Sequence, residues 1–226
     1  MKETIPKSLA IDVYERMTAE IFEFRLLPGD RFTEAEVATR VGVSRTPVRE
    51  ALYRLEREGY ITVSSRNGWR VKPFDFTVFE NLYDVRVVLE LAALRRLCAM
   101  PSPPDLTVLE RAWLVAPESR LREPRTVCGM DEAFHQALVA AADNPEMASI
   151  HRDVSQRIRI IQRLDFTQRE RIDLTYEEHA QILRRIAARD FDGSQRLLTG
   201  HIDASKAVVR QITLHRLHSA RTAHAA

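Results

Sequence analysis

Residues Thr33–Gly59 read TEAEVATRVGVSRTPVREALYRLEREG, and the punctuation of this stretch predicts two short helices joined by a tight turn. In the first, Ala35, Val37, Ala38 and Val41 form an apolar stripe at helical spacing, and Thr33 is placed to cap it with Glu36 as capping-box partner. Gly42 supplies the left-handed position at which a helix closes and the chain reverses. Pro47 pushes Thr46 out of the helical region and suits the first helical position, so the second helix starts at Ser44 or Thr46. Ala51, Leu52, Leu55 and Gly59 continue it along a buried face, while Ser44, Arg45, Thr46 and Arg49 open the outward face. This is the pattern of a helix-turn-helix, which sets the N-terminal side chains of its second helix against base edges in the major groove.

The flanking sequence extends the unit. Tyr60–Ser64 and Trp69–Pro73 are β-rich runs separated by the turn formers Ser65, Arg66, Asn67 and Gly68, so a two-stranded wing with Arg66 and Arg70 near its tip is expected. Between Arg40 and Lys72 the basic residues are Arg40, Arg45, Arg49, Arg54, Arg57, Arg66, Arg70 and Lys72, against Glu50, Glu56 and Glu58. The whole chain carries 34 basic and 32 acidic residues, so this positive charge is local. Phosphate contacts supply affinity through counterion release and base contacts supply specificity, and the segment offers groups for both.

The string PGDRFTEAEVATRVGVSRTPVREALYRLEREGYITVSSRNGWRV resembles the DNA-binding domain of GntR-family bacterial transcription regulators over Ile5–Pro73. The resemblance implies that Arg45, Thr46 and Arg49 contact DNA, with Ser44 at the phosphate backbone and Gly68 at the wing tip. Some family members carry a basic residue where this chain has Ala35.

At 226 residues and 45% hydrophobic content the chain can bury a core in each of two modest domains. Its apolar runs fall short of the ~18 residues of a membrane span. The N-terminus lacks the apolar segment of a secretory signal, so a cytoplasmic protein is expected. Cys98 and Cys128 have neither metal nor redox spacing, and Cys98 reads as a small buried hydrophobe. A lead-in helix over Ser8–Leu26, with Ile11, Val13, Tyr14, Met17, Ile21 and Phe22 inward, completes the first domain. The expected fold is mostly α: a winged helix-turn-helix over residues 1–74, then an antiparallel all-helical bundle over 75–218 without a long linker. A disordered tail is expected over 219–226.

In the bundle, apolar residues recur at three and four, as in Phe79, Leu82, Val85 and Leu89. Breaks at Pro101–Pro104, Pro117, Pro124, Asn144-Pro145 and Asp192-Gly193 divide it into roughly six helices. Asp131 and His135 are four apart and share one helix face. His179 lies twelve residues before a turn centred near Phe191 and His201 ten after it, so antiparallel packing puts both ~15–18 Å from that turn. Spacing alone leaves open whether these are core and surface residues or three imidazoles and a carboxylate converging on Zn²⁺, Ni²⁺, Mn²⁺ or Fe²⁺.

The strings DEAFHQALVAAADNP, EEHAQILRRIAARD and GHI, with FENLYDVRVVLELAA, resemble the FCD effector-binding domain of the FadR-type branch of the same family. The resemblance implies a metal held by Asp131, His135, His179 and His201 and an effector among small organic acids. A guanidinium would complete a carboxylate site; Arg86 and Arg159 are the first candidates, ahead of Arg157 and Arg163, because arginine clamps carboxylates bidentately. The expected protein is a homodimer on a near-palindromic duplex operator, a repressor released by a small carboxylate. Two alternatives use the same residues: a regulator for which the metal is itself the signal, and a metal-dependent hydrolase.

Overall fold

Val13, Met17 and Ile21 recur at one helical face and bury helix α1 (Leu9–Phe22) against α3 (Arg45–Arg57). Ile11, expected inward, is 38% exposed because it lies two residues off that stripe. The computed structural model describes residues 8–22, 25–64, 68–73, 75–166 and 169–207, and one compact unit ends at Asp75 while the next begins at Phe76.

Helix α2 (Glu34–Val41) starts with the capping box read from the sequence: the Glu36 N–H donates to Thr33 Oγ1 at 3.2 Å and the Thr33 N–H to Glu36 Oε2 at 2.7 Å. Gly42, at φ 77°, closes it. Ser44 is the N-cap of α3; Thr46 is helical despite the proline after it, and Pro47 is the third helical residue instead of the first, still within the first turn, where the missing N–H has no helical partner to lose. The helix stops at Arg57, so Gly59 does not extend its buried face as expected; at φ 84° it turns the chain into the sheet.

That sheet has three antiparallel strands in the order β1 (Arg31–Phe32), β3 (Gly68–Val71), β2 (Ile61–Ser64). The wing pairs Val63 with Trp69 and Ser64 with Gly68. Strand β1 has no sequence signal, since two residues are too few to show alternation; pairing of Phe32 with Trp69 creates it. The wing tip with Arg66 lies outside the described residues, as does the tail 219–226.

The second unit holds α4 (Phe76–Ala99), α5 (Thr107–Trp113), α6 (Pro124–Ala141), α7 (Pro145–Asp165), α8 (Arg169–Ala187) and a last helix, α9, described over residues 191–207. Helices α4, α6 and α7 pack on one another, and α8 packs on α4, α5 and α6 around Leu94, Trp113, Phe134, Tyr176, Ile182 and Leu198. Prolines start α6 and α7, capped by the Glu123 carboxylate and by Asn144 Oδ1, which accepts from the Met147 N–H at 3.1 Å. Asp192-Gly193 is not a break: the turn lies at Ala188–Asp190, with Arg189 at φ 57°, and α9 runs through Gly193. Asp190 caps α9 by accepting from the Gly193 N–H at 2.8 Å, and a Cβ at Gly193 would stand 2.2 Å from that carboxylate, which would have to shift. Among the described residues no helix is long and apolar enough to cross a membrane.

Candidate metal centre and nucleic-acid interface

Asp131 and His135 project from α6, one turn apart, His179 from α8 and His201 from α9, and their side chains meet inside the bundle. Asp131 Oδ1 lies 3.6 Å from His135 Nε2, 3.3 Å from His179 Nε2 and 3.6 Å from His201 Nε2. His201 Nε2 is 3.2 Å from His135 Nε2 and 3.3 Å from His179 Nε2. Ligand atoms each held ~2.0–2.1 Å from one ion are spaced ~3–3.5 Å apart, so the donor set matches an ion of zinc-like size. All four residues are buried.

The protons support the same conclusion. His135 Nδ1 is 2.6 Å from Glu90 Oε2, and His201 Nδ1 is 2.6 Å from Glu178 Oε2. A neutral imidazole that donates from Nδ1 keeps Nε2 as an acceptor, so the two carboxylates aim the Nε2 lone pairs of both rings at each other. Asp131 Oδ1 faces them with no hydrogen-bond donor of its own. Lone pairs and a carboxylate gathered in a dry interior repel unless a cation joins them. Nitrogen and oxygen donors without thiolate suit Zn²⁺, Ni²⁺, Mn²⁺ or Fe²⁺, and such an ion would supply coordination positions to an anionic oxygen.

The electrostatics keep Asp131 and His179 free of protons, while at His201 a metal ion would have to displace one. Burial would raise the Asp131 carboxyl, but the imidazoles facing it overcome that and hold it well below the usual range. Burial pushes His179 down to about 3, so its ring stays neutral. Burial also opposes charge on His201, yet Asp131 and Glu178 outweigh it and raise this ring. His179 is fixed mechanically, stacked on Phe134 at 3.7 Å between ring centres and edge-on to Trp113 at 4.2 Å.

Behind the donors lies a second layer, of which the sequence reading named Arg86 alone. Glu90 holds His135 with one oxygen, and its other oxygen accepts from Arg86 Nε at 2.6 Å and lies 2.9 Å from His151 Nε2. Burial would raise Glu90, but His135 and Arg86 hold it well below the usual range. Arg171 donates to Glu178 at 2.7 Å on the far side of His201. Arg86 and Glu90, four apart on an otherwise apolar face, were the one available signal. Glu90→Gln is expected to weaken metal binding 10–100-fold, the usual cost of losing such a partner, measured by chelator competition; unchanged affinity would deny Glu90 this role.

Of the arginines read as effector ligands, Arg86 is buried and engaged by Glu90, and Arg159 is forked onto Glu132 at 2.9 and 2.5 Å. Arg157 is exposed, and the Arg163 side chain lies outside the described residues. Arg171, not singled out beforehand, is the cation that reaches His201, 3.2 Å from its Nδ1.

In the first unit, Ser44, Arg45, Thr46 and Arg49 are exposed on the leading turns of α3, with Tyr53 continuing their face. Of these, Arg45, Arg49 and Tyr53 border a cleft between α2, α3 and the wing, together with Ala35, Val63, Gly68 and Trp69. Arg49 donates to Glu34, the first residue of α2, through Nε at 3.0 and 3.2 Å and through Nη2 at 2.9 Å.

Comparison with known proteins identifies the family of both domains. Residues 9–71 match "Bacterial regulatory proteins, gntR family", and residues 81–204 match the FCD domain. The Nta operon transcriptional regulator of Aminobacter aminovorans is 33% identical over 181 residues, 80% of this chain and 84% of that one. The transcriptional repressor RspR of Escherichia coli K12 is 26% identical, with 88% of each chain covered. Among solved structures, E. coli McbR/YncC shares the fold at a TM-score of 0.65 and 20% identity, over 90% of this chain and 98% of that one. The structure titled for Lar of Listeria monocytogenes shares it at 0.69 and 19%, over 92% and 99%. With a matched reading head, a matched sensor domain and relatives that are regulators, this chain belongs to the GntR family of bacterial regulatory proteins, in its FCD-containing branch, and is a transcription regulator, not an enzyme.

Proposed function

We propose that the protein is a cytoplasmic repressor that binds a near-palindromic operator as a homodimer and is released by a small carboxylate bound at a metal ion. Residues 1–74 read DNA through Ser44, Arg45, Thr46, Arg49, Arg66 and Gly68. Residues 75–218 sense the ligand through an ion on Asp131, His135, His179 and His201, with Arg171 beside His201 as partner for the carboxylate, since Arg86 and Arg159 are engaged by Glu90 and Glu132. The observation that carries this reading is the cluster itself: Asp131 and His201 each lie 3.2–3.6 Å from the other donors, all four fall within 4.8 Å of one another, and two of the rings are aimed by carboxylates. Support for the repressor sense comes from the relative named as a repressor. Two-fold symmetry follows from the few base pairs that one recognition helix reads. The effector shifts operator binding by its differential affinity for the DNA-competent and incompetent states.

The test is a thermal-shift panel of small organic acids on metal-loaded protein, repeated with chelator, followed by operator binding with each acid that responds. An effector at 100 times its Kd is expected to add ~2.7 kcal/mol, or roughly 5–10 °C. The shift should vanish with chelator, and the same acid should weaken operator binding. If no acid does both, the acid-sensing reading fails. If metal added to the stripped protein changes operator affinity by itself, the ion is the signal; four donors from three helices give it the means to draw them together.

A further inference from the structure

Glu34 grips Arg49 by one edge of its guanidinium, across two helices. The members of the pair are 15 residues apart, on the first residue of α2 and on the outward face of α3. The carboxylate uses the side edge of the guanidinium, Nε and Nη2, with all three contacts between 2.9 and 3.2 Å. A guanidinium has a second fork at its end, one N–H from each of Nη1 and Nη2, and these contacts leave that fork unused. Guanine presents O6 and N7 in the major groove at the spacing of such a fork, and the bidentate arginine–guanine contact is the commonest specific one. The Glu34 side chain is 19% exposed and that of Arg49 57%, so the acid sits deeper and the arginine reaches outward from it.

We propose that Glu34 is a positioning residue for base recognition: it holds Arg49 by its side edge so that the end fork reads one guanine in each operator half-site. Glu34 acts in two ways. It removes the rotamer freedom that a long exposed arginine would otherwise lose on binding. It also neutralises a charge that would otherwise turn to phosphate where no guanine is in reach, which lowers affinity for wrong sites more than for right ones. Arg45, exposed beside it on the same face, has no such carboxylate hydrogen-bonded to it among the described contacts. The two arginines are therefore not equivalent: Arg49 is the constrained reader. This inference rests on the reading that Arg49 meets DNA, and the test separates the two.

Full-length wild type, Arg49→Ala, Glu34→Gln and Glu34→Ala proteins are each used to select binders from a random duplex library. Binding is then measured to the wild-type consensus and to that consensus with the guanine changed to adenine in both halves. Wild type should select a guanine at a position where Arg49→Ala shows no preference. At that position alone, Glu34→Gln should lose about 10-fold in discrimination, while its affinity for unselected duplex stays equal or rises. Glu34→Ala should repeat the pattern, which guards against a fault particular to glutamine. If Glu34→Gln keeps the wild-type ratio between guanine and adenine, Glu34 is only a surface ion pair and the proposal fails. If Arg49→Ala keeps the wild-type preference everywhere, Arg49 is not the reader and the inference falls with it.

Discussion

His179→Ala protein is expected to leave purification and dialysis without bound metal, while wild type retains about one ion per chain, as metal analysis will show. Structural zinc binding is worth ~10–16 kcal/mol, so one of four donors accounts for on the order of 10²–10³-fold in affinity. His179 is the most informative ligand to remove. Its ring is neutral by burial, with a pKa of about 3, and it is clamped between Phe134 and Trp113, so it presents Nε2 without reorganisation. Truncating a buried ring also costs packing, and Asp131→Asn separates the effects because it keeps the shape and removes the charge. Chelator should lower the melting temperature of wild type and leave both variants unmoved. Equal metal content in all three proteins would show that these side chains hold no ion.

Arg45→Ala is expected to cost ~1–3 kcal/mol per half-site and to flatten base preference at one position of the operator, if Arg45 meets a base edge. A contact to phosphate would instead weaken all sequences alike and reduce the salt slope by ~1. Titrations at several salt concentrations on selected and unselected duplexes distinguish the two. Arg45 is exposed on the first turn of α3, and Val48, Leu52 and Leu55 hold that helix from beneath, so the substitution should not disturb the fold. Unchanged affinity and preference would remove Arg45 from the interface.

The reading head was legible because its signals are local. The Thr33–Glu36 box, Gly42 in the left-handed region, Pro47 in a first turn and the Ile61–Val71 hairpin each depend on residues a few positions apart. The same locality misled at Asp192-Gly193, where a turn signal lies inside a helix because Asp190 caps it from the preceding turn.

The candidate metal cluster stood between these cases. Asp131 and His135 share a face by helical period alone, whereas bringing in His179 and His201 required knowing that α8 and α9 return on each other. The turn lies at Ala188–Asp190 and not at Phe191, yet an error of two residues does not separate histidines of neighbouring antiparallel helices.

What the sequence determined by itself was the set of elements and the chemical types carried on each helix face, since periodicity and capping are properties of neighbouring residues. Only the tertiary structure decided which carboxylate meets which ring: Glu90 on His135 across 45 positions, His151 on the same carboxylate across 61, and Glu34 on Arg49 across 15. Ion pairs and ring tautomers depend on distances of a few ångströms between separate helices, and those distances come from packing the whole core, which no local pattern encodes.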